Sequence, residues 1–232
     1  VNPHSLSHRL ERVAAQVPVG AHLADIGSDH AYLPVALVLR GVIPQAVAGE
    51  VAQTPFLAAR RSVRESGLDH CISVRQADGL AAIEANDRIT AVSLCGMGGE
   101  TIRDILQAGR AHLTRGERLI LQPNGGECDL RQWLMDNGYR IRHEEVLREN
   151  RFDYEIIVAD HGEPVTYSPQ ELFFGPLQLR QRTPAFLAKW QRLLHLKRRT
   201  LERLAHARQS GLDGKRLELA RHIQWIESLN PL

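Results

Sequence analysis

Cysteine is scarce in this sequence: Cys71, Cys95 and Cys128 are an odd number at wide intervals. That excludes a disulfide framework and the paired spacing of a zinc site, so no metal is expected. Long apolar runs are missing too; none approaches the roughly 18 residues that a membrane span needs. The stretch Val1-Asn2-Pro3-His4-Ser5 carries no signal-peptide pattern. A cytoplasmic protein without a membrane partner is the expectation. Lysine is almost absent, and its three copies, Lys189, Lys197 and Lys215, all lie in the last quarter of the chain.

That last quarter differs in charge from the rest. Residues 1–170 carry 17 basic and 22 acidic side chains, a net of −5, whereas residues 171–232 carry 12 and 5, a net of +7. A basic appendage on an acidic body suggests two tasks and a polyanionic partner. The length, 232 residues, suits one sizeable domain plus such an appendage.

Along the chain, apolar spacing predicts a helix over Ser5–Gln16, ended by Pro18 and Gly20. Strand and helix then alternate. Strands are expected at Leu23–Ile26, Ala46–Glu50, Ile72–Arg75, Ala91–Leu94 and Arg118–Gln122, with helices after the first, second, fourth and fifth. Two further strands, Tyr139–Glu144 and Tyr154–Ala159, are expected to flank a hairpin turn at Asn150–Asp153. The pattern calls for an α/β fold with a mostly parallel seven-stranded sheet covered on both faces. Residues 161–184 read as a connection. Pro184–Gln209 and Lys215–Leu229 then read as two amphipathic helices forming a hairpin across a break at Ser210–Gly214. The expected domains are 1–160 and 161–232.

The chain is organised around Leu23-Ala24-Asp25-Ile26-Gly27-Ser28-Asp29-His30, where a strand turns sharply into a helix. Gly27 lets the backbone approach a ligand, and Ser28 or Asp29 is placed to cap the helix. The G-x-G-x-x-G pattern is absent, and Asp25 and Asp29 would repel a diphosphate, which argues against a nicotinamide dinucleotide. A cationic, amine-bearing ligand such as S-adenosylmethionine fits better. Ligands of open parallel sheets sit across the carboxyl edge. The strand ends there supply Glu50 for ribose hydroxyls and Asp78 for an exocyclic amine, beside Val51, Gly79, Cys95, Gly96, Met97 and Asn124. Each acid also has an innocent reading as a loop residue or a cap.

Five phrases together resemble a known family: Leu-Ala-Asp-Ile-Gly-Ser-Asp-His-Ala-Tyr-Leu-Pro (23–34), Ala-Gly-Glu-Val (48–51), Ala-Asp-Gly-Leu (77–80), Cys-Gly-Met-Gly-Gly (95–99) and Leu-Gln-Pro-Asn (121–124). They are similar to the bacterial tRNA (adenine-22-N1)-methyltransferases, and the likeness continues through 130–134 and 154–157, covering roughly residues 5–160. The resemblance implies a Rossmann-like class I methyltransferase domain that converts S-adenosylmethionine to S-adenosylhomocysteine, followed by a coiled-coil-like helical domain. The Asp/Asn-Pro-Pro-Tyr loop of exocyclic-amine methyltransferases is missing after the fourth strand, which favours a ring nitrogen as acceptor. Cofactor contacts are expected at Asp25, Gly27, Ser28, Glu50, Val51, Asp78, Gly79, Cys95, Gly96 and Met97. Asp29 and His30 are the candidates for contacting the base or moving a proton. Asn124, Arg180, Arg182, Lys189, Arg192, Lys197, Arg198 and Arg199 are the candidates for contacting tRNA. A helix cap or an amine contact for Asp29, and a structural role for His30, remain open. The arm reads equally as a dimerisation device in a small-molecule methyltransferase, or the chain as an RNA-binding module with a decayed enzyme domain. A monomer is the preferred state of assembly.

Overall fold

The computed structural model describes residues 5–114, 116–206 and 212–229. The expected helix end at Gln209 and the start of the break at Ser210-Gly211 lie outside them. Each apolar run forms its strand: β1 (His22–Ile26), β2 (Gln45–Glu50), β3 (Ile72–Gln76), β4 (Ala91–Met97), β5 (Arg118–Pro123), β6 (Tyr139–Glu149) and β7 (Phe152–His161). Helix α1 (His8–Ala14) precedes them, and α2 (Tyr32–Leu39), α3 (Gln53–Glu65), α4 (Gly99–Ala108) and α5 (Glu127–Asp136) lie between them. One seven-stranded sheet results, ordered β3-β2-β1-β4-β5-β7-β6. The first five strands pair in parallel, and β7 is antiparallel to both neighbours.

Alternation along each strand sends its apolar side chains to two separate cores. Leu23, Ala48, Ile120 and Val158 pack with Val13, Leu37 and Val63 from α1, α2 and α3. Ala24, Val47, Leu121 and Ile157 pack with Ile102, Leu106, Leu130 and Leu134 from α4 and α5.

Two stretches differ from expectation. The terminal strands run to a tight two-residue turn at Asn150 and Arg151, whose φ angles of 47° and 71° match the twist a hairpin needs. Between residues 161 and 184 the chain is not a bare connection but contains α6 (Pro169–Phe174) and α7 (Pro176–Gln181). A reciprocal cap starts α6: the Ser168 hydroxyl accepts from the Glu171 amide, and the Glu171 carboxylate accepts from the Ser168 amide. Leu172 and Phe174 are buried there, and Leu172 joins the core of α4 and α5. The first compact unit therefore runs past residue 160 to Leu177, and the second comprises Gln178–Leu232.

Within the second unit, α8 (Pro184–His206) and α9 (Asp213–Glu227) pair in opposite directions. Arg198 Nη2 meets Glu227 Oε1 at 2.6 Å, while Arg216 Nε donates to the Leu204 carbonyl at 3.1 Å. Trp190, Ile223 and Ile226 are buried in this hairpin. Among the described residues no helix is long and apolar enough to cross a membrane, and no cluster of His, Cys, Asp and Glu could hold a metal ion.

Candidate active site

The chain leaves β1 toward β2 and leaves β4 toward β5, on opposite sides, so the crevice of the sheet lies between β1 and β4. Gly27 and the Cys95–Met97 bulge meet at its carboxyl end. Gly27 has a φ of 71°, and an added Cβ would sit 3.2 Å from Met97 Cε. Asp29 and Ala31 are also left-handed, with φ of 56° and 55°, an unfavourable geometry for side-chain-bearing residues. The end of β2 holds this turn. Gly27 and Ser28 donate their amides to the Gly49 carbonyl at 2.9 and 3.3 Å, and the Asp29 amide donates to the Glu50 carboxylate.

Asp25 closes the floor. Only 4% exposed, it accepts 2.6 Å bonds from Ser28 Oγ and Ser93 Oγ on its two oxygens. Burial pushes its carboxyl above the usual aspartate range, and the two hydroxyls act against that. The expected cap by Ser28 or Asp29 does not form. The cap of α2 is Ala31, with no side-chain bond, because the Ser28 hydroxyl turns back to Asp25.

A cavity of about 350 Å³ opens here. Asp25, Gly27, Ser28, Asp29 and His30 form one wall, and Cys95, Gly96 and Met97 the other. The Asp29 side chain is 75% exposed at the lip, with Oδ1 3.8 Å from His30 Nε2. The His30 ring lies stacked on Tyr32 at 5.0 Å, so the histidine is held in place yet half open. Burial and the neighbouring Asp25 push the Cys95 thiol far up, leaving it a neutral lining group.

Glu50, Val51, Asp78, Gly79 and Asn124 do not line this cavity but stand at adjacent strand ends. Burial raises the Glu50 carboxyl against the opposing Asp29 amide bond. Val51 is 64% exposed. Asp78 is exposed, its carboxylate not used as a helix cap. Gly99 donates its amide to the Gly125 carbonyl and Asn124 donates to the Met97 carbonyl, both at 2.7 Å. These bonds join the two glycine loops and take the Gly99 amide out of use for a phosphate.

Arg9 escaped the reading from sequence. It projects from α1 into the cavity lining, where its Nη1 donates to Gln122 Oε1 at 2.5 Å. The same Gln122 oxygen accepts from the Gly96 amide at 3.1 Å, and its Nε2 donates to Asn124 Oδ1 at 3.1 Å. Nothing in the spacing of α1 marks Arg9. Its role comes from packing against β5 and β7, which local sequence does not encode.

The basic candidates of the second unit separate by burial. Lys189 is buried, its ammonium 5.2 Å from the Trp190 ring centre, and so does not stand on a solvated face. Arg182 donates to the Leu179 and Leu229 carbonyls, and Arg198 pairs with Glu227. Lys197 and Arg192 are half-buried, and burial lowers the Lys197 pKa against the pull of Glu218. Arg180, Arg199 and Arg203 are exposed.

Comparison with known proteins agrees with this arrangement. The family model for tRNA (adenine(22)-N(1))-methyltransferase matches residues 23–228, reaching well into the second unit, where the sequence showed no family phrase. The tRNA (adenine(22)-N(1))-methyltransferase of Bacillus subtilis (strain 168) is 39% identical over 99% of this chain and 98% of its own length. A putative tRNA (m1A22) methyltransferase of Streptococcus pneumoniae, solved in complex with S-adenosyl-L-methionine, is 42% identical with a TM-score of 0.89 over 97% of this chain and 99% of that one. A Mycoplasma capricolum relative solved with S-adenosyl-homocysteine is 26% identical with a TM-score of 0.85 over 97% of both chains. With the sheet order, the acid-lined crevice and a full-length relative in agreement, the chain belongs to the tRNA (adenine(22)-N(1))-methyltransferase family.

Proposed function

We propose that this protein transfers the methyl group of S-adenosylmethionine to N1 of an adenine in tRNA, adenine 22 by family membership. The observation that carries the reading is the crevice between β1 and β4. It gathers Asp25, Gly27, Ser28, Asp29 and His30 against Cys95–Met97 in one cavity, in a chain whose relative was solved with this cofactor. The residues present fit it. Gly27 leaves room where a Cβ would meet Met97, and acids rather than phosphate-binding glycines line the crevice.

Glu50 offers Oε2 to the ribose hydroxyls while Oε1 holds the loop. Asp78 accepts from the exocyclic amine, and Val51 covers the adenine ring. Asp25 and Ser28 face the ammonium end, and Arg9 stands in the same cavity for the carboxylate. When bound, the cofactor supplies an electrophilic methyl on a sulfonium. The N1 lone pair forms the new N–C bond as the C–S bond breaks, the sulfur keeps that electron pair, and the positive charge passes to the base. No deprotonation precedes attack, so positioning supplies much of the acceleration. Asp29, exposed at the lip, faces the incoming ring and stabilises the charge that arrives on it.

The basic second unit supports the choice of tRNA over a small metabolite, with Arg180, Arg199 and Arg203 as phosphate contacts. Incubation with unmodified tRNA and labelled cofactor, followed by nucleoside analysis, tests the reading. 1-Methyladenosine at position 22 is expected; methylation of a small metabolite and of no tRNA would overturn it.

A further inference from the structure

We propose that the tip of the β6–β7 hairpin is a stacking platform for an unpaired nucleobase of the RNA substrate, next to the base that is methylated. The inference rests on the reading of the protein as a tRNA methyltransferase and adds a surface to it.

Position comes first. β7 runs antiparallel to β5, with Ile157 opposite Leu121. Continued past Leu121, this register brings Glu155 level with Pro123, so residues before Glu155 continue beyond the carboxyl end of β5, the edge on which the cavity opens. Phe152 and Tyr154 share the face of Ile156 and Val158, on the α1 side of the sheet.

A continuous path of rings and cations links this tip to the cavity. Arg9, a cavity-lining residue, places its guanidinium 5.4 Å from the centre of the Tyr154 ring. The Tyr154 ring lies 6.4 Å from Phe152, tilted by 50°. Phe152 itself is 64% exposed, although a polar residue would serve a hairpin end as well. Beside it stands the exposed Arg151.

The local acids are engaged. Glu145 holds Arg12 through two bonds of 2.7 and 2.8 Å, Asp153 pairs with Arg148 at 3.1 Å, and Glu149 accepts from the Arg9 amide at 3.4 Å. The contacts of Arg12 and Arg9 fix α1 against the hairpin, and the left-handed pair Asn150-Arg151 fixes the turn. The tip is thus a preset apolar ring flanked by a cation. A nucleobase matches both, since its π-face stacks on phenyl and guanidinium alike whatever its identity. A purely apolar protein partner would leave Arg151 without a counter-charge.

Full-length Phe152→Ala, Phe152→Leu and Phe152→Trp proteins test the proposal with unmodified tRNA. The Ala and Leu variants should raise the KM for tRNA about tenfold with little change in kcat, while Trp stays near wild type. S-adenosylmethionine affinity by calorimetry should be the same in all four proteins, which also checks folding. A wild-type KM in Phe152→Ala, or full rescue by Leu, overturns the platform. So does a change from dimer to monomer at unaltered KM, which would assign the tip to a second copy of this chain. If wild-type protein forms 1-methyladenosine and the variants match its KM for tRNA, the platform falls and the enzyme reading stands. If wild-type protein methylates no tRNA, both fall.

Discussion

Arg131 Nε donates to Glu144 Oε1 across 2.8 Å with both side chains wholly removed from solvent. The guanidinium also meets Glu155 and donates to the Leu172 carbonyl at 3.1 Å, while Glu144 Oε2 accepts from the Leu177 amide at 2.8 Å. One cation from α5 thereby joins β6, β7 and α6. Replacing it alone strands two buried carboxylates. Arg131→Met should cost about 3–5 kcal/mol in urea denaturation. Replacing Arg131, Glu144 and Glu155 together by apolar residues of similar volume should cost far less. Equal losses in the two proteins would show that packing volume, not charge pairing, carries the effect.

Asp29 combines a left-handed backbone, an amide tied to Glu50 and a carboxylate left open at the cavity lip. Asp29→Asn keeps the amide and the shape while removing the charge. It should bind cofactor nearly as well but methylate tRNA at least about tenfold more slowly, roughly 1.4 kcal/mol of transition-state stabilisation. Single-turnover rates at saturating tRNA decide the matter, and an unchanged rate removes Asp29 from the chemistry.

Burial raises the Asp25 carboxyl above its unfolded value. The folded state then holds the proton more tightly. The stability from this group is fully present below the unfolded pKa and declines as pH rises through the folded one. Asp25→Asn removes the titration. The stability of wild type minus that of the variant should fall as pH is raised from about 4 into the raised range, then level off. Urea melts across pH check this; a difference that grows with pH means the two serine hydroxyls more than compensate burial.

Glu50→Ala removes both the ribose acceptor and the tie to the Asp29 amide. Calorimetry should show cofactor affinity weakened by about 1–3 kcal/mol. An unchanged affinity would move the ribose elsewhere.

Arg180, Arg199 and Arg203 are exposed in the second unit. Changing all three to alanine should weaken tRNA binding and lower the slope of log affinity against log salt by about 2–3, near one per phosphate contact. Cofactor affinity should not move. A salt slope equal to wild type would take these side chains off the RNA.

Periodicity made the sheet legible, because most strands of the parallel core are short apolar runs closed by polar residues, glycine or proline. The cavity lining was legible where its residues lie at those strand ends, as with Asp25 and Gly27, whereas Glu50 stands at the neighbouring strand end outside it. Arg9 was hidden because it joins the cavity through Gln122 and Tyr154, residues more than a hundred positions away. The short helix α6 was missed although Ser168 and Glu171 stand at capping-box spacing, since six residues are too few to show a period. Lys189 looked like part of a basic face because composition counts charges without saying which are buried.

The sheet ends at β6, a border strand of eleven residues of the kind whose outer amides and carbonyls can template an extended chain, and along it the Ile141 amide is taken up by the Tyr167 hydroxyl at 3.1 Å. Here the pairing with β7 slips between Ile141 and His143, and Arg140, Arg142 and Arg148 alternate along the exposed positions. An irregular border crowded with charged side chains of both signs is a poor template for a further strand. The sheet thereby stops at seven strands, and the protein resists edge-to-edge aggregation at its longest border strand.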